Sequence, residues 1–192
     1  MLSNMLYSDI YEPEFLAKFG PDSDKIGSLE LSEENGFFID VYKIAKILGI
    51  SIEEDFITDD SGKYDSEQKI ITINEFEPEY RQRFTIAHEL GHAVLGHPGI
   101  SLRTPKLEKY KDVVEKGHEV MANKFAAELL MPRKLILNIM NELIDEKSWD
   151  SKSLDNDQVD ELVSLTANKL NVSEISMKYS VKNNNIFVDG EY

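Results

Sequence analysis

The sequence predicts an α+β fold: a small antiparallel sheet packed on one central helix, followed by a mainly helical C-terminal half. Three observations predict it. Two β-branched runs, Ile50 to Thr58 and Lys69 to Asn74, are separated by the turn residues Asp59, Asp60, Ser61 and Gly62. The next segment carries Phe84, Ile86, Ala87, Leu90, Ala93 and Val94 at helical spacing. After that the periodic segments are all helical.

With 192 residues and 41% hydrophobic content, the chain can bury one ordinary core and is short for two. The expected organisation is an N-terminal extension over residues 1–36, a core over 37–146, and a small helical unit over 147–192 that packs on it. In the extension, Pro13, Gly20, Pro21 and Gly27 interrupt any long element, leaving a short helix near Glu14 to Lys18 and then loop. Asp40 is placed to cap a helix that buries Val41, Ile44, Ala45 and Leu48, and Gly49 to end it. Beyond the strands, Pro78 suits the first turn of the Phe84–Val94 helix, which stops between Gly96 and Gly99 around Pro98.

A polar loop containing Pro105 leads to a second apolar helix from about His118, through Val120, Met121, Ala122, Phe125, Ala126, Leu129 and Leu130, to Pro132. Leu135 to Leu143 forms another helix, and Lys147 to Gln158 reads as a polar linker. Val159 to Leu170 and Ser173 to Val181 then form two short amphipathic helices with Asn171 and Val172 at the bend, a helix-turn-helix-like unit.

A net charge of -15 argues against binding nucleic acid through a general basic surface, and favours a cationic or neutral protein partner. The helix-turn-helix-like unit does not change this: from Lys152 to Asn183 there are four lysines against five acidic residues. No stretch approaches the roughly eighteen apolar residues of a membrane span, and the acidic N-terminus is unlike a signal peptide, so a cytoplasmic protein is expected. Without cysteine, any zinc site must be built from histidine and carboxylate.

His88, Glu89, Leu90, Gly91 and His92 match His-Glu-x-x-His within a segment that reads independently as helix. Residues four apart sit one turn apart on one face, so both imidazoles can reach one Zn2+ ion, while Glu89 is rotated toward a water beside it as the catalytic base. A catalytic site needs a third ligand. His97 is five residues from His92 and turned about 140° away on the helix, and the positions that a metzincin reading requires hold Leu95 and Pro98. Glu119, on the second apolar helix, is the better candidate, with His118 and Glu115 as alternatives. Asn123, four residues on, could accept the free ring N–H of a ligand histidine and fix its tautomer. His97 and His118 read otherwise as surface or loop histidines. Phe125 to Met131 reads as core that presses the two helices together.

The segments Arg81-Gln82-Arg83-Phe84-Thr85-Ile86-Ala87-His88-Glu89-Leu90-Gly91-His92 and Glu119 to Pro132 closely resemble the ImmA/IrrE family of metallopeptidases, a likeness extending from about Asp40 to Val181. The resemblance implies a zincin-like, gluzincin-type fold with the third ligand four residues before the asparagine, at Glu119 and Asn123. It also implies metal-assisted hydrolysis of a peptide bond in a protein substrate. Family members commonly cleave a helix-turn-helix repressor of a prophage, mobile element or stress regulon, and others sit beside toxin-antitoxin modules. Substrate is expected to extend along a free sheet edge near Ile70 to Asn74. Tyr80, Tyr110, His97 and Arg83 are candidates for stabilising the oxyanion. The rival reading is a zinc-stabilised protein-binding regulator or toxin-antitoxin component with little hydrolysis, against which the retained Glu89 weighs.

Overall fold

The computed structural model describes residues 5–31, 37–58, 60–97 and 111–187. Asp59, Pro98, Gly99, Pro105 and Tyr110, all of which entered the sequence reading, lie outside the described residues.

The N-terminal segment holds more structure than one short helix. It forms α1 (Tyr7–Ile10), α2 (Pro13–Leu16), a 3-10 segment (Ala17–Asp22) and α3 (Ser23–Gly27), with Gly20 at φ +57° where the chain kinks before Pro21. Helices this short are not stable by propensity and depend on tertiary burial. Here that burial comes from a ladder of aromatic rings four residues apart, Tyr7, Tyr11, Phe15 and Phe19, with successive centroids 5.8, 4.9 and 5.8 Å apart. Phe15 and Phe19 both reach Phe125, at 5.2 and 5.7 Å, and the Tyr11 hydroxyl donates to the Leu129 carbonyl at 2.5 Å.

Helix α4 (Val41–Ile47) is capped as its sequence predicts, by Asp40 accepting from the Lys43 amide at 2.9 Å, and Gly49 at φ +69° ends it. The sheet corrects the antiparallel expectation. Strands β1 (Ser51–Asp55), β2 (Gly62–Asp65) and β3 (Ile70–Asn74) lie in the order β1-β3-β2, with β1 parallel and β2 antiparallel to β3. The stretch between the two β-branched runs contains a third strand, which turns back onto β3 and takes one side of it. β1 is left to pair on the other side, in the same direction as β3. Only Ile71 and Ile73 are fully buried in β3, so the sheet is covered on one face.

That covered face rests on α5 (Glu79–Val94), which begins after Pro78 and buries Arg83, Thr85, Ile86, Ala87, Leu90 and Gly91. Gly62 sets the distance: a Cβ there would lie 2.4 Å from Thr85 Cγ2 and 2.7 Å from the Thr72 carbonyl, so only glycine lets β2 approach α5 this closely.

Helix α6 (Lys111–Leu130) starts about two turns before the expected His118. The extra turns have no buried apolar stripe, Val113 and Val114 being exposed, so periodicity could not reveal them. Ala122, Phe125, Ala126, Leu129 and Leu130 are buried, as expected for core. α7 (Arg133–Glu146) follows Pro132. α8 (Asn156–Leu170) starts with an Asp155–Gln158 capping box, and α9 (Glu174–Asn183) is capped by Ser173. Asn171, at φ +51°, makes the bend between them. One hydrophobic cluster runs from Tyr7 through Phe125 to Val181. Among the described residues no helix is long and apolar enough to cross a membrane.

Candidate metal centre

Helices α5 and α6 pack tightly at Gly91, where a Cβ would meet Ala122 Cα and its carbonyl oxygen at 3.2 Å and Phe125 Cδ1 at 3.1 Å. Two small residues face each other, the backbones close up, and the turn of α6 just before Ala122 is carried over the histidines of α5. That turn bears Glu119.

His88 Nε2 stands 3.2 Å from Glu119 Oε2, His92 Nε2 stands 3.3 Å from Glu119 Oε1, and the two ring nitrogens are 3.0 Å apart. These three residues form the one cluster of ligand-type side chains among the described residues whose donor atoms all lie within 4.8 Å of one another. Donors around a tetrahedral ion at about 2.0–2.1 Å stand roughly 3.3–3.4 Å from each other. The spacings of 3.0, 3.2 and 3.3 Å, with a different Glu119 oxygen facing each ring, come close to those around such an ion, and the donor set fits an ion of that kind.

The far side of each ring is also held. Asn123 Oδ1 lies 3.1 Å from His88 Nδ1. A carbonyl oxygen can only accept, so the proton of a neutral His88 sits on Nδ1 and the Nε2 lone pair faces the cluster. His97 Nδ1 lies 3.2 Å from His92 Nδ1, and the His97 ring stacks on His118 with centroids 4.0 Å apart. The sequence reading treated both as loop or surface histidines. The structure brings them against the motif because the chain after α5 turns back at Gly96, at φ +63°, with the His97 amide donating to the His92 carbonyl. The geometry of a turn beyond a helix end leaves no periodic signal. Burial is the main influence lowering the proton affinity of His92, with His88 next, and His97 is lowered likewise by burial and by His118.

Glu89 is the strongly perturbed acid. Burial pushes its pKa up to about 7, the carboxylates of Glu119 and Asp60 add to the rise, and a hydrogen bond from the Tyr64 backbone opposes it. A carboxylate that takes up and releases a proton near neutrality suits proton transfer.

Two cavities open on either side of His88, Glu89 and Glu119. One, of about 570 Å³, runs toward Tyr80, Phe84 and the α8–α9 bend at Val172 and Ser173; the other, of about 440 Å³, is bordered by Lys63, Tyr64, His97 and His118. β3 is paired along both sides and has no free edge, so the expected substrate track along Ile70 to Asn74 is corrected. Among the described residues, the unpaired edge beside the cluster belongs to β2. Of the oxyanion candidates, Tyr80 and His97 border the cavities, while Arg83 is 2% exposed and turned away, its Nε donating to the Asn171 carbonyl at 3.3 Å and its guanidinium over Phe38.

The IrrE N-terminal-like domain, the family Peptidase_M78, matches residues 45–182. The radiation response metalloprotease IrrE of Deinococcus deserti is 40% identical over 79 residues, which are 41% of this chain and 28% of that protein. That of Deinococcus radiodurans is 35% identical over 79 residues and 24% of its length. An "uncharacterized immunity region protein 2" of Bacillus phage phi105 is 38% identical over 79 residues and 48% of its length. The matched stretch thus spans between a quarter and half of these relatives. A Mycobacterium tuberculosis transcriptional regulator shares the fold, with a TM-score of 0.55 at 14% identity over 91% of this chain and 48% of that one. With the family match covering well over half its length, the chain belongs to the IrrE N-terminal-like domain family of Peptidase_M78.

Proposed function

We propose that this protein is a zinc-dependent endopeptidase acting in the cytoplasm, with His88, His92 and Glu119 as the ligands, Glu89 as the general base, and Asn123 orienting His88. The observation that carries the reading is the convergence of the two Nε2 atoms, 3.0 Å apart, on the Glu119 carboxylate, whose two oxygens stand 3.2 and 3.3 Å from them, with the buried carboxyl of Glu89 on the same helix turn. When bound, the ion supplies Lewis acidity, lowering the pKa of a water toward about 7 and polarising a carbonyl. The remaining chemistry belongs to the chain. Glu89 takes a proton from the attacking water and delivers it to the departing amine, the Tyr64 backbone holds the Glu89 carboxylate in place, and Asn123 keeps the His88 tautomer fixed.

The substrate lies extended along the outer edge of β2, where Gly62, Lys63 and Tyr64 border the cluster, and adds to the sheet as a further strand. Its class is a helix-turn-helix repressor. The phage relative, named for an immunity region, supports that choice.

The test is metal analysis of wild type, Glu119→Ala and Glu89→Gln, each incubated with the helix-turn-helix regulator encoded nearest the gene. Near-stoichiometric zinc and cleavage by wild type are expected, with zinc kept but cleavage reduced by about 10²–10⁴-fold in Glu89→Gln. Equal effects of wild type and Glu89→Gln on the regulator would replace hydrolysis with metal-stabilised binding.

A further inference from the structure

Phe56 and Phe76 are large apolar side chains left out of the core. They are 64% and 73% exposed, and their rings meet edge to face at 5.7 Å just beyond the ends of β1 and β3. The backbone beneath them is fixed. The Phe56 amide donates to Asp55 Oδ1, the Phe76 amide to Asn74 Oδ1, the Glu75 amide to the Asp55 carbonyl, and the Asn74 side chain to the Ile57 carbonyl, all between 2.7 and 3.1 Å. A pair of phenylalanines on a pinned backbone is an ordered surface feature. A partner that covers it takes both rings out of water, which favours association.

The surroundings say what kind of partner. Between Ser51 and Tyr80 there are ten acidic residues and two lysines. Glu53, Glu54, Asp55, Asp60, Glu75 and Glu79 are exposed, and none is in an ion pair among the described residues. Such a field repels nucleic acid, an anionic membrane and a second copy of a chain of net charge -15. It attracts lysine and arginine, which can also stack on the phenylalanine faces.

The position ties the pair to the cavity. Asp60 and Ser61, which line the larger cavity, are joined to this corner by the Asn74 amide donating to the Ser61 carbonyl at 3.0 Å and the Ser61 hydroxyl donating to Glu77 at 2.8 Å. Tyr80, in the first turn of α5, lies roughly 12 Å along the helix from His88 at 1.5 Å per residue.

We propose that Phe56 and Phe76, with the carboxylates around them, form a docking surface remote from the metal centre for a basic, apolar-containing segment of the protein substrate. Its assignment to a substrate rests on the peptidase reading; its preference for a basic segment does not.

The experiment separates the two. A short labelled peptide of lysine and leucine, and its glutamate counterpart, are titrated by fluorescence anisotropy into wild type, Phe56→Ser/Phe76→Ser and Glu75→Gln/Glu79→Gln, at low and high salt. Separately, cleavage of the neighbouring regulator is followed in wild type and in the Phe56→Ser/Phe76→Ser variant. The basic peptide alone should bind wild type, about tenfold more weakly to the phenylalanine variant and at high salt. The carboxylate variant should be intermediate. Binding equal in wild type and the phenylalanine variant, or no binding of the basic peptide, overturns the surface even where the regulator is cut. A regulator left uncut by wild type counts against the peptidase reading, and the peptide titration still decides the surface.

Discussion

Helices α5 and α6 face each other across the candidate metal centre but present their ligand-type side chains in different ways. The His88 and His92 side chains are 15% and 16% exposed, on a helix buried through Ile86, Ala87, Leu90 and Gly91, whereas Glu119 is 57% exposed, ahead of the buried Ala122 on its helix. The histidines are thus fixed by the core, and Glu119 by where α6 lands on α5. Removing Glu119 should then separate metal binding from folding. Glu119→Ala should lose zinc affinity by more than the roughly hundredfold typical of outer partners, while the metal-free chain changes stability by no more than about 0.5 kcal/mol. Zinc titration and thermal unfolding of the metal-free chain check both halves. A large loss of metal-free stability would erase the contrast between the helices.

The same contrast explains what was legible in the sequence. His88, Glu89 and His92 could be read because a local spacing on one helix fixes their relation, and the Asp40 cap and the Ala122–Leu130 core could be read for similarly local reasons. Glu119 came partly from the same kind of reading, as a carboxylate on an apolar helix, and partly from family resemblance. The structure places it 3.2 and 3.3 Å from the two histidines. Relations made by tertiary contact were missed. β2 has no apolar alternation and exists by pairing with β3, so the sheet was read as antiparallel and its free edge assigned to the wrong strand. The N-terminal aromatic ladder is spread over helices too short to show a period, and His97 reaches His92 through a turn.

Glu89 belongs to the buried partner of this comparison and titrates accordingly. Its folded pKa of about 7 lies above the ordinary carboxyl value of 4.5, because burial, then Glu119 and Asp60, disfavour the carboxylate. A raised folded pKa contributes stability that is fully present below about pH 4.5 and is lost as pH rises through about 7. The metal-free chain should therefore lose stability across that window, on the order of 3 kcal/mol from this group. Thermal unfolding of metal-free wild type and Glu89→Gln isolates it, since the substituted chain should lack this component of the slope. Identical slopes would show that Glu89 is more freely solvated than its surroundings imply.

The contact between the helices can be tested at Gly91. Alanine in place of glycine inside a helix ordinarily gains about 0.5–1 kcal/mol. Here the added Cβ would press on Ala122 backbone atoms at 3.2 Å, which cannot give way without moving α6. Gly91→Ala should therefore destabilise by about 1–3 kcal/mol and weaken zinc binding as well, because Glu119 moves with α6. Stabilisation with unchanged zinc affinity would mean that the close approach does not place Glu119.

Gly117 supplies the opposite sign with the smallest effect. It lies in the exposed N-terminal half of α6, two residues before Glu119, and a Cβ there meets nothing within 4 Å. With no packing to disturb, the backbone entropy of glycine is the only factor that changes. Gly117→Ala should raise stability by about 0.5–1 kcal/mol and leave zinc affinity unchanged or slightly higher as the turn carrying Glu119 becomes stiffer. Unfolding midpoints and zinc titrations of Gly117→Ala and Gly91→Ala, taken together, provide the test. Opposite signs would show that α6 is free where it starts and locked where it crosses α5, whereas a loss of stability at Gly117 would mean that the first turns of α6 are packed as tightly as the rest.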